Sequence, residues 1–76
     1  MQKYFFDTKD GVTVRDRFGM IFKFDSEAIE HSILLAKKMR LKGTIEESDL
    51  RISVVNELGD IVHVEMVGPN AAHLPT

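Results

Sequence analysis

Asp25-Ser26-Glu27-Ala28-Ile29-Glu30-His31-Ser32-Ile33-Leu34-Leu35-Ala36-Lys37-Lys38-Met39-Arg40-Leu41-Lys42-Gly43 is the stretch that decides the fold. At about 100° per residue, Ala28, Ile29, Ile33, Leu35, Ala36 and Met39 fall within one broad arc, and Glu27, Glu30, His31, Lys37 and Lys38 take the opposite side. Asp25 is placed to cap the start, with Glu27 and Glu30 in the first turns and Phe24 one residue before the cap, in reach of Ile29. Gly43 suits the left-handed residue that ends a helix. The pattern predicts an amphipathic helix of about 17 residues, about 25 Å long.

Two leucines break the polar face. Leu34 and Leu41 lie one heptad apart and stack along one line. They read either as scattered surface leucines, which are ordinary, or as a narrow seam for a partner helix.

Outward from the helix, both flanks alternate with period two. On the N-terminal side, Tyr4 and Phe6 form the apolar set expected to face a core, and Phe5 takes the wetter side. Thr8-Lys9-Asp10-Gly11 reads as a hairpin loop, with Val12 and Val14 pointing inward on the return strand. Asp16-Arg17-Phe18-Gly19 repeats that turn chemistry. Residues 20–24 alternate again, as a third short strand or as an extended lead into the helix. On the C-terminal side, Thr44-Ile45-Glu46-Glu47 fits a capping box. A hairpin follows, with Ile52 and Val54 inward, an Asn56-Glu57-Leu58-Gly59 turn, and Val62, Val64 and Met66 on one side of the return strand.

The fold class is therefore α+β: an antiparallel sheet of four or five strands in two hairpins flanking one helix, ββαββ. Residues 1–67 make one domain, and 68–76, with Pro69 and Pro75, form a C-terminal tail expected to be poorly ordered. Four strands at about 4.8 Å span nearly 20 Å, whereas one helix is about 10–12 Å wide. Part of the inner face is left uncovered. Lys3, Arg15, Arg51 and Glu65 mix with Phe5, Val55 and Ile61 on the outer face. Incomplete cover, small size and the leucine line point to a homodimer or a small protein partner, with Leu34, Leu41, Phe5 and Val55 as interface residues.

Chemistry is sparse. The chain has no cysteine, so disulfides, thiolate metal sites and thiol nucleophiles are excluded. His31, His63 and His73 lack the spacing that puts two imidazoles on one helical face. Ser26, Ser32, Ser48 and Ser53 have no nucleophile elbow, and the five glycines are too dispersed for a phosphate loop. Asp7, Asp10 and Asp16 cluster near the first hairpin but read as turn formers. No catalytic residue, cofactor or metal site is expected. A net charge of −2 gives no global attraction to nucleic acid. Lys37, Lys38, Arg40 and Lys42 form the one basic concentration, read first as cations complementing the helix C-terminus and second as a patch for phosphate or an acidic partner. No stretch resembles a signal peptide or a membrane span, so a cytoplasmic location is expected.

Lys3-Tyr4-Phe5-Phe6-Asp7, Asp10-Gly11, Arg15-Asp16-Arg17-Phe18-Gly19, Asp25-Ser26-Glu27-Ala28 and Asn56-Glu57-Leu58-Gly59 together resemble a family of short bacterial proteins of uncharacterised function. The likeness covers about residues 3–67 and departs where that family often has Leu-Pro-Asp before the helix, here Phe22-Lys23-Phe24-Asp25. It implies the fold and no activity. A weaker likeness is to HicB-type antitoxins, which share the strand, Asp-Gly turn, strand and acidic helix start. The chain lacks their Pro-Asp-Leu-x-Gly-Cys segment. That likeness implies an alternative role as an antitoxin or DNA-associated regulator using the basic helix end.

Overall fold

The computed structural model describes residues 1–41 and 50–67. Lys42, Gly43, the capping box at 44–47 and the tail from Gly68 lie outside the described residues. The elements in chain order are β1 (Gln2–Asp10), β2 (Val12–Val14), β3 (Met20–Phe22), α1 (Asp25–Leu41), β4 (Arg51–Val55) and β5 (Ile61–Met66). They form one antiparallel sheet of five strands in the order β2-β1-β4-β5, with β3 also paired to β1. The α+β architecture and the ββαββ arrangement are as the alternation predicts, and the lead into the helix is a true strand.

The outer edge of β1 is shared. β2 pairs with Thr8–Asp10 and β3 with Gln2–Tyr4, leaving a gap at the middle of the strand. Asp16 fills it. Its Oδ2 accepts the Phe6 N–H at 3.2 Å, its Oδ1 accepts the Phe18 N–H at 3.0 Å, and its own N–H donates to Asp7 Oδ1 at 2.9 Å. Side-chain carboxylates thus replace the missing ladder bonds, because an unpaired backbone N–H is costly to leave without a partner. Gly19 closes the same turn at φ +70°, and a Cβ there would lie 2.9 Å from the Tyr4 carbonyl oxygen and 2.8 Å from Lys3 Cγ. Only glycine fits both the conformation and the space.

The helix packs on β3, β4 and β5. Its innermost line is Ala28, Ser32 and Ala36, all fully buried and all small. Small side chains at i, i+4 and i+8 let the helix backbone lie close to the sheet. Two clusters result: Tyr4, Ala28 and Val54 with Phe22 and Val62, and Ala36, Ile52 and Val67 with Leu35, Met39 and Leu50. Phe6 touches both. The Ser32 hydroxyl is satisfied by donating to the Ile29 carbonyl at 2.6 Å.

Several positions depart from the sequence expectation. The register places Val12 and Val14 opposite Asp10 and Thr8, on the side of Tyr4 and Phe6 as expected. They are nonetheless 74% and 63% exposed, because β2 lies beyond the elements that α1 packs on. The second hairpin changes phase at a bulge beside Val54 and Val55. Val62 reaches the core, but Val64 then faces Ser53 on the helix-free side, and His63 and Glu65 face Val54 and Ile52. Glu65 therefore leaves the outer face assigned to it and bonds His63 Nε2 at 2.8 Å. Ile33 lies at the rim of the helix contact, outside the core proper.

The helix start also differs from the expected cap. Phe24 is the residue before the first turn, and its carbonyl accepts the Glu27 N–H at 3.1 Å. Glu27 Oε1 reaches back to the N–H groups of Lys23 at 2.9 Å and Phe24 at 3.1 Å, which is the carboxylate half of a capping box. Asp25 does not cap. It accepts the buried Tyr4 hydroxyl instead, and Phe24 stands out from the core where a staple would have buried it.

Candidate functional site

The outward face of α1 follows from its inward one. With Ala28, Ser32 and Ala36 buried against the sheet, helical geometry sends Glu27, Glu30, Leu34, Lys37, Lys38 and Leu41 to the opposite side, and all six are exposed. Leu34 is 56% exposed and Leu41 85%, so the two leucines do form one solvent-facing line. Glu30, Lys37 and Lys38 make no ion pair with any side chain among the described residues. The acidic half of this face leads and the basic half follows.

Beside it runs an open groove of about 460 Å³, lined by Phe22 of β3 and by Glu27, Glu30, His31, Ile33 and Leu34 of α1. His31 is the half-buried histidine of that lining. The imidazole lies 4.9 Å from the Phe6 ring centroid and 5.6 Å from that of Phe22, in an aromatic group that Tyr4 extends. Burial, and after it the Lys38 ammonium, lower the His31 pKa below its ordinary 6.5. Helical periodicity alone puts this histidine on the polar face. It sits at the boundary of the polar arc, and only the position of Phe22 decides that it packs.

The other two expected interface residues lie elsewhere. Phe5 and Val55 are direct cross-strand partners on the helix-free face, both half-buried. They wall a second hollow of about 240 Å³ with Asp7, Arg15, Asp16, Asn56, Glu57 and Gly59. The structure thus brings Leu34 to Leu41 and Phe5 to Val55, but the pairs stand on opposite sides of the sheet. The basic group is divided as well. Lys37 and Lys38 are exposed, whereas Arg40 is half-buried and its Nη1 donates to the Met66 carbonyl at 3.2 Å, holding the helix end to β5.

Three carboxylates are taken up in structural bonds. The carboxylates of Asp16, Glu27 and Glu57 accept backbone N–H groups, the last from Lys3 at 2.5 Å. Among the described residues every buried side-chain nitrogen and oxygen has a partner, and no group of three His, Cys, Asp or Glu side chains is arranged to hold a metal ion. No described helix is long and apolar enough to cross a membrane.

The profile of a family described as a domain of unknown function, DUF6894, matches residues 3–67. The chain belongs to the DUF6894 family. No curated protein and no solved structure matches it significantly. The DUF6894 match covers every described element of the sheet beyond Gln2 together with the whole of α1, including both the groove and the Phe5–Val55 hollow. Family membership assigns this DUF6894 domain no activity, and nothing in the match bears on HicB-type antitoxins.

Proposed function

We propose that the domain is a non-enzymatic protein-binding module of the bacterial cytoplasm and that its contact surface is the outward face of α1 with the adjoining groove. The observation that carries this reading is the Leu34–Leu41 line, two large apolar side chains standing in water on an otherwise charged helix face. A core-facing role is closed to them, since the small residues of the opposite face already occupy the sheet contact. The groove beside Leu34 adds apolar lining from Phe22 and Ile33. Apolar side chains set in a polar rim are the usual anatomy of a protein contact. No observation on the described residues favours the DNA-associated alternative, and Arg40 is committed to the fold.

A photoreactive amino acid at position 34, expressed in the native host, tests the reading. A defined protein adduct from position 34, absent when the same group replaces the still more exposed Leu58 of the β4–β5 turn, is the expected result. Equal labelling from both positions, or none from position 34, overturns it.

A further inference from the structure

The geometry points to a second copy of this chain as the occupant of that face, its α1 antiparallel to the first with Leu34 on the twofold axis. This rests on the binding role proposed above and names the partner. The order of charge along the exposed face selects it. Glu30 precedes Leu34 by one turn and Lys38 follows it by one turn, both exposed and both without an ion-pair partner among the described residues.

A twofold axis at Leu34, perpendicular to the helix, sets Leu34 against its own copy and Glu30 against the partner's Lys38, twice by symmetry. The same register sets Leu41 against the partner's Glu27. The Glu27 carboxylate is turned back onto the Lys23 and Phe24 N–H groups, so its aliphatic stem is what remains to cover a leucine. Antiparallel helices also bring each acidic first turn, with Asp25 and Glu27, towards the other's basic last turn, with Lys38 and Arg40. Parallel pairing through the same residues would face Glu30 with Glu30 and Lys38 with Lys38. Like charges directly opposed reject that arrangement. The face is therefore complementary to itself in one orientation only.

A seam along one 17-residue helix is small. It falls at the low end of specific interfaces, below about 1,200 Å², so the dimer forms and dissociates with concentration. Sedimentation velocity on the full chain over a range of concentrations reads this directly. Glu30→Lys and Lys38→Glu are exposed changes and leave the circular dichroism spectrum unaltered. Each alone weakens self-association by about tenfold or more, because both symmetric pairs become repulsive. An equimolar mixture of the two variants restores it. In the mixed dimer the introduced lysine meets the introduced glutamate, and the native Lys38 of one chain meets the native Glu30 of the other. The double variant, with both charges exchanged, restores association as well.

Association unchanged in both single variants, or a mixture no stronger than either alone, overturns the proposal. So does a wild-type chain that stays monomeric throughout. These results leave the binding role standing if position 34 still crosslinks to a different protein in the host, so the two failures are distinct.

Discussion

The Tyr4 hydroxyl donates to Asp25 Oδ1, joining the first strand to the first residue of the helix across the whole N-terminal half of the domain. It sits at the edge of the core cluster of Tyr4, Ala28 and Val54, and it explains why Asp25 does not cap its own helix. The bond to Asp25, then burial, then the negative charges of Asp25, Glu27 and Glu57 push the tyrosine pKa up to about 12.

Tyr4 is the single tyrosine of a chain without tryptophan, so its titration is visible in the near-ultraviolet. Phenolate absorbance is expected to rise with a midpoint near 12 while the protein is folded, and near the ordinary 10.0 once urea unfolds it. The folded value is the raised one. The associated stability is therefore complete below pH 10 and is lost as pH rises from about 10 to about 12. Asp25→Asn moves the midpoint down. A native midpoint at the ordinary value would deny the bond.

Asp16 stands in for backbone in the gap of β1. Asp16→Ala leaves the Phe6 N–H without its acceptor, and urea unfolding followed by circular dichroism should show a loss of about 1–2 kcal/mol. Burial raises the Asp16 pKa, but the N–H groups of Phe18, Gly19 and Phe6 outweigh it and hold the carboxyl below 3.8. Its contribution is present above that value and disappears as pH falls through the folded pKa. Asp16→Asn keeps an acceptor and should remove this acid dependence at a smaller cost.

Gly19→Ala meets two obstacles at once, a left-handed φ and the Tyr4 carbonyl oxygen. The expected cost is about 2 kcal/mol in the same urea titration. A neutral outcome would mean that the 15–19 turn does not close on β1 as described.

His31 titrates below its ordinary value because the neutral ring is the form that packs between Phe6 and Phe22. Stability is full above pH 6.5 and falls as the pH drops from there through the folded pKa, where the unfolded chain binds the proton first. Proton NMR of the ring resonances gives the pKa, and thermal melts between pH 7 and about 4.5 give the slope. His31→Phe should flatten that slope.

The helix lies close to the sheet because its contact line is small. Ala36→Leu would overfill the space beside Ile52 and Val67, costing about 1–3 kcal/mol by chemical denaturation. Leu34→Ala, on the outward face, should change monomer stability by less than about 0.5 kcal/mol. The contrast between these two positions separates the buried face of α1 from the exposed one.

Local patterns are legible where one residue type has one mechanical use. Asp-x-x-Gly and Asn-x-x-Gly mark real turns: Asn56 Oδ1 accepts from Leu58 at 3.0 Å and Asp60 at 2.9 Å, and Gly59 adopts φ +89°. The alternation of Tyr4 and Phe6 against Phe5 gives the inner face of β1 because its centre is covered. The same rule fails for Val12 and Val14, since alternation fixes which side a residue takes and says nothing of whether an element lies over it. Val64 leaves its expected side for a different reason: the bulge adds one residue to β5 and reverses every side chain after it.

The candidate site divides in the same way. Leu34 and Leu41 are recognisable as a line because helical spacing alone places them together. That Phe5 and Val55 face each other, far from that line, requires the register of β1 on β4. His31 in an aromatic pocket, and Arg40 turned to the Met66 carbonyl, require knowing where β3 and β5 lie.

Legible from the sequence alone are the helix, the two hairpins, their order, the turn chemistry and the two faces of the helix, all of which depend on contacts a few residues apart. Tertiary structure decided the rest. Which strands α1 covers, which carboxylate serves a cap and which a tyrosine, and which apolar residues stay in water are set by pairings between distant segments, whose geometry no local period encodes.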